Sequence, residues 1–170
     1  MESIIKILID RHKRIRNFLE EKGEISLTTD SDNEFRKVLV LSIASFFESE
    51  ITESLLNLAR SVGSEQIFSL IKSKAVSRQY HTLFDWKSTN VNQFLQLLGD
   101  SFKKNVEAEI KENDKLGRGV KAFLELGQKR NSLVHENFIS AQLDWTLEDI
   151  SEKYQYAFEF VTFLSKRISP

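Results

Sequence analysis

The apolar residues of this chain recur at helical spacing, and alternating strand-like runs between turn clusters are hard to find. Ile4, Ile7, Leu8, Arg11, Ile15 and Phe18 predict a first helix from Ser3 to Glu21, with Gly23 suited to its end. Residues Glu24 to Asp30 read as a loop. Ser31 followed three positions later by Glu34 has the form of a capping box, and predicts a long helix from Asn33 to about Ser61. The middle of that helix, Val38 to Phe47, is apolar nearly all round, as expected of a helix buried among several neighbours. It is the expected centre of the fold.

Gly63 and Ser64 then supply a stop and a new N-cap for a shorter helix near Glu65 to Val76, before an aromatic stretch at Tyr80, Phe84 and Trp86. A helical run from Val91 to Leu98 follows Asn90, is interrupted at Gly99-Asp100 and resumes from Phe102 to Glu112. Asn113 or Asp114 caps a segment from Leu116 through Val134, and Thr146 with Asp149 opens a last helix to about Ile168. The fold class is therefore all-α: a single-domain antiparallel bundle of about five or six helices, with no repeat or linker to mark a second domain.

Composition narrows the chemistry. The chain has 170 residues, 41% of them apolar, which suits one packed core. Its formal net charge of −1 excludes a protein that coats polyanions generally, so any nucleic-acid contact must be local. With no cysteine, disulfides, Cys-ligated zinc, iron–sulfur clusters and thiol nucleophiles are all excluded. The N-terminal Met-Glu-Ser-Ile-Ile-Lys-Ile-Leu-Ile-Asp is apolar only briefly and then turns basic, the reverse of a secretory signal. No apolar run approaches the roughly 20 residues of a membrane span, so a soluble cytoplasmic protein is expected.

Candidate chemistry centres on the three histidines, His12, His81 and His135, because few other side chains titrate near neutrality. At about 100° per residue, Leu116, Val120, Phe123, Leu124, Gly127, Val134 and Phe138 form one stripe, the expected buried face. Asn131 falls inside it. Arg130 and His135 lie roughly 60° and 80° to either side, so neither is expected to face open solvent. Burying such groups unsatisfied costs on the order of 1–3 kcal/mol each, so they should be partnered or line a cleft.

The segment Gln128-Lys-Arg-Asn-Ser-Leu-Val-His-Glu136 resembles the R-x4-6-H motif of HEPN domains, with the polar Asn that often follows the Arg. The surroundings agree: a buried helix bearing Phe46-Phe47-Glu48, an aromatic connection, Phe94-Leu95 and Leu97-Leu98-Gly99, then the motif helix, are similar to RiboL-PSP and related bacterial HEPN families. The resemblance implies a helical bundle that dimerises so that two motifs share one cleft, where RNA is cut without metal or cofactor. On that reading His135 is the general base or acid, Arg130 clamps the scissile phosphate and Asn131 orients His135 or the phosphate through its amide. Attack by the 2′-OH then leaves a 2′,3′-cyclic phosphate. Glu48 resembles a helix-two acidic residue of many members, positioned to pair with Arg130 or His135. The implied role is a toxin of a toxin–antitoxin or phage-defence system, with an antitoxin or regulatory protein as partner besides RNA. The chain differs from some members in Glu136, where glycine is common after the His, and Glu136-Asn137-Phe138 lacks the Tyr that nucleotidyltransferase-associated members carry two residues after the His.

Two other readings of the trio stay open at this stage. One is purely structural: an ion pair at Arg130, a satisfied backbone at Asn131, a helix-end contact at His135. The other is a catalytically silent HEPN-like module that dimerises and binds a partner or nucleic acid. Elsewhere, Arg11, Lys13, Arg14 and Arg16 form a basic cluster able to attract an RNA backbone, with Lys72, Lys74 and Arg78 as a second patch; a solvated helix face explains them equally. Leu116-Gly117-Arg118-Gly119 reads as a flexible capping turn. Glu48, Glu50, Glu53, Glu107 and Glu109 lack the Glu-x-x-His pairs of a di-metal bundle and read as solvated or ion-paired. Tyr80-His81 reads as packing or surface.

Overall fold

The computed structural model describes residues 4–77, 79–136, 138 and 141–169. Among them are eight α-helices: α1 (Ile4–Glu21), α2 (Ile25–Ser61), α3 (Glu65–Ile71), α4 (Tyr80–Leu83), α5 (Asn92–Leu97), α6 (Asp100–Glu112), α7 (Asp114–His135) and α8 (Leu147–Ile168). Five are long and three have seven residues or fewer, which accounts for the excess over the expected five or six. No strand occurs among the described residues, and none of their helices is long and apolar enough to cross a membrane.

The longest helix departs from the sequence reading at its start. The expected loop from Glu24 to Asp30 is helical, and the Ser31–Glu34 pair lies inside α2 instead of capping it. Gly23, at φ +73°, completes the reversal out of α1, so α2 begins two residues later. The hydroxyls of Thr28 and Thr29 then donate to the carbonyls of Glu24 and Ile25 one turn back, which satisfies them within the helix. Other boundaries follow the sequence closely. Ser64 caps α3, which continues into a π-helical turn at Lys72–Val76. Gly99, at φ +98°, breaks α5 from α6, and Thr146 with Asp149 forms a reciprocal capping box on α8.

Leu39, Val40, Ile43, Phe47 and Ile51 of α2 are essentially inaccessible, so the apolar run does lie at the centre of the core. Helices α7 and α8 pack antiparallel: Lys153 of α8 bonds Glu125 of α7, and Lys129 stands over the Trp145 ring just before α8. Arg36 of α2 donates to the Trp145 carbonyl (2.8 Å) while Phe46 meets Tyr154 and Phe158, so α2 and α8 run the same way. Gly119 makes the α7–α8 contact close: a Cβ there would stand 2.7 Å from both the Phe160 Cβ and the Tyr156 carbonyl. The Leu116–Gly119 segment is thus a helical packing surface rather than a flexible capping turn.

Candidate functional site

Asn113 starts the helix that carries the motif, its side chain accepting from the backbone N–H groups of Lys115 and Leu116 (3.0 and 3.4 Å). Leu116, Val120, Phe123, Leu124 and Gly127 are buried as the helical wheel predicts. Toward the end of α7 the buried side shifts: Leu133, two turns after Leu126, is covered, and Val134 is 52% exposed. Phe138 lies beyond the helix, half-buried, with its carbonyl held by the buried Lys37 ammonium (3.1 Å).

Arg130 and Asn131 are both half-buried, and the Arg130 Nη1 donates to the Asn131 Oδ1 at 3.1 Å. They form one wall of a narrow, mostly apolar depression. Phe47 and Glu48 of α2 make a second wall, and Tyr80, His81 and Trp86 a third. The third wall is tied to α7 by Gly127, where any Cβ would overlap the Trp86 ring. Trp86 also packs against Phe123, with ring centroids 5.5 Å apart. Tyr80 is buried, and that burial with the nearby Glu48 carboxylate pushes its phenol well above the usual range, Arg130 opposing the shift. The phenol therefore stays neutral, and both charges lie within electrostatic reach of it.

His135 is placed differently from the expectation. It is the last residue of α7 and exposed, because the chain turns extended at Glu136 and leaves that side of the helix uncovered. It does not line the depression that Arg130 and Asn131 line; it sits one turn beyond Asn131 on neighbouring helix surface. Glu48 does reach the depression, yet among the described residues no ion pair joins it to Arg130 or His135.

A family profile described as RiboL-PSP-HEPN matches residues 6–170. The chain belongs to that family. No curated protein and no solved structure matches it. Arg130, Asn131, His135 and Glu48 of this HEPN chain all fall within the matched span.

The remaining candidates of the HEPN chain lie apart from the depression. Arg11, Lys13 and Arg14 are exposed along α1, while Arg16 is engaged by Glu20 (2.9 Å) and Asp32 (3.6 Å). His12, in the same stretch, turns inward: its ring stacks on Phe35 at 3.8 Å and its Nε2 lies 2.7 Å from the Asp32 carboxylate. Lys72 stands over the Phe68 ring, and Arg78 lies outside the described residues. Glu53 pairs with Arg60 and Glu109 with Arg167, and among the described residues no three His, Asp or Glu side chains group as metal ligands. The sequence reading missed the third wall. The available signal was Gly127, a bare position in an otherwise bulky stripe that calls for a large ring from elsewhere in the chain.

Proposed function

We propose that this HEPN protein is an endoribonuclease that cuts RNA by attack of a ribose 2′-OH, with Arg130, Asn131 and His135 as its working residues and no metal ion in the reaction. The observation that carries the reading is the Arg130–Asn131 pair, half-buried at the edge of an apolar depression, one helical turn before an exposed imidazole. Arg130 binds the scissile phosphate and balances the charge that grows on it in the transition state. His135 takes the 2′-OH proton, the 2′-oxygen bonds to phosphorus, and the bond to the 5′-oxygen breaks to leave a 2′,3′-cyclic phosphate. Asn131 holds the guanidinium in place through its amide oxygen.

A second copy completes the site in this reading. His135 and Val134 stand bare at the end of α7, and an isologous contact there brings two motifs face to face. In this reading an antitoxin or regulatory partner holds the RNase in check, and phage defence releases it.

Purified protein is expected to cleave RNA in excess EDTA with cyclic-phosphate ends, and His135→Ala to lose about 10²–10⁴-fold in rate while staying folded. Equal cleavage by wild type and His135→Ala sinks the proposal. Tight RNA binding by a wild type that never cleaves identifies a silent binding module instead. Growth arrest on expression of wild type but not of His135→Ala is the expected cellular counterpart.

A further inference from the structure

Strand scission by 2′-OH attack needs two proton transfers, one from the nucleophile and one to the departing 5′-oxygen. The attacking and departing oxygens lie roughly in line through phosphorus, so base and acid approach from different sides. Resting on the ribonuclease reading above, we infer that His81 is the general acid that protonates the leaving 5′-oxygen.

The depression holds few groups able to do this. Arg130 does not release its proton at any ordinary pH, and the Asn131 amide is not an acid. Glu48 is half-buried on α2, whereas His81 is exposed. Tyr80 is buried, with its phenol held neutral. His81 is the one imidazole among the lining side chains, and it reaches solvent.

The fold fixes where that imidazole stands. His81 is the second residue of α4, between the buried Tyr80 and the buried Leu83. The Trp86 indole N–H donates to the His81 carbonyl at 3.0 Å, and the Gln93 amide donates to the Thr82 carbonyl at 3.0 Å. Trp86 in turn rests on Gly127, one turn before Arg130 and Asn131. The backbone of α4 is thus pinned to the motif helix, while the His81 ring has no hydrogen-bond partner among the described residues and remains open to substrate. His81 belongs to a different wall from Arg130 and Asn131, as an acid opposed to a base carried by α7 should.

In the proposed step the 2′-OH proton passes to His135, the 2′-oxygen bonds to phosphorus, the bond to the 5′-oxygen breaks, and the His81 proton goes to that oxygen. Hydroxyl loss from phosphorus needs that proton; thiolate loss does not. The test compares an oligoribonucleotide with its analogue carrying a bridging 5′-sulfur at the cleavage site, using the 170-residue chain. His81→Ala and His81→Gln are expected to slow the oxygen substrate by about 10²–10⁴-fold and the sulfur substrate by less than about 10-fold. His135→Ala is expected to slow both. The wild-type pH–rate profile should be bell-shaped, and the His81 variants should lose its alkaline limb.

Unimpaired cleavage of the oxygen substrate by the His81 variants overturns the inference. So does an equal loss on both substrates, which would mark a role in binding or structure. A wild type inert toward both substrates overturns the ribonuclease reading itself, so the two failures are distinguishable.

Discussion

Helices α1 and α7 carry apolar stripes of similar regularity, and the fold treats them in opposite ways. On α7, Leu116, Val120, Phe123 and Leu124 are buried against α2 and α8. On α1, Ile4, Ile7, Ile15 and Phe18 are between 43% and 61% exposed, while the buried positions are Ile5 and His12. The exposed stripe lies roughly 110° round the helix from the buried side. Glycine explains much of the difference. Gly119 and Gly127 let the α8 backbone and the Trp86 ring close on α7, so its stripe is met from two directions. No small residue interrupts the α1 stripe, and that helix rests on α2 through a narrow ridge that includes the His12–Phe35 stack. Spacing announces an apolar face; what covers it depends on where other elements can approach.

The largest effect expected from testing this contrast is at Phe123. Its ring meets Phe47, Phe84, Trp86 and Phe160 at centroid distances of 5.0–6.0 Å. Phe123→Ala should cost about 3–5 kcal/mol in chemical denaturation, since the cavity is hemmed in by four rings from three parts of the chain and cannot collapse. Against a typical total of about 5–15 kcal/mol, that takes a marginal domain close to unfolding. A loss below about 1 kcal/mol would show that the α7 stripe is not the packing centre described here.

Gly127→Ala comes next, at about 1–3 kcal/mol, because the added methyl overlaps the Trp86 ring and the ring must move. Tryptophan fluorescence should shift to the red as the indole leaves its pocket. Cleavage should fall with it, because the bond from the Trp86 indole to the His81 carbonyl is broken by the same movement. Unchanged fluorescence and stability would mean that the aromatic wall is not held by Gly127.

The same two helices show what was legible in the sequence. Helix ends marked by a local chemical signal were readable: Thr146 with Asp149, Ser64, Gly99 and Asn113 act within one turn of themselves. Ser31 and Glu34 carry a signal of the same form and do not act, because Gly23 had already started α2. Gly119 reads as a breaker only if its neighbour across the interface, Phe160, is out of view. The motif residues could be named from Arg130 to His135, and the all-α class from periodicity and the scarcity of proline. The Tyr80–Trp86 wall could not be, since it meets Gly127 across some forty residues of chain. His135 was placed beside a covered seam by a wheel that ran on to Phe138, whereas the helix ends at His135 and Val134 beside it is already exposed. The misses at Gly119 and at the aromatic wall concern contacts distant in sequence; the helix ends that were read correctly rest on interactions a helix makes with its own terminus.

The smallest effect is expected on α1, and it is the sharpest discriminator. Ile15→Ser and Phe18→Ser remove large apolar side chains from positions that a sequence reading takes to be core, where losses of about 2–5 kcal/mol are usual. In this fold both are exposed, so each should change the stability of the single chain by no more than about 0.5 kcal/mol. Ile5→Ala, only ten residues away on the same helix and fully buried, should cost several times as much. Denaturation at low protein concentration, where no second copy contributes, separates the two. If Ile15→Ser and Phe18→Ser destabilise the chain as much as Ile5→Ala does, α1 is turned the other way and the contrast with α7 falls. If only Ile5→Ala does, then the regularity of an apolar stripe and its burial are independent quantities in this protein, set respectively by the sequence of one helix and by the glycines of another.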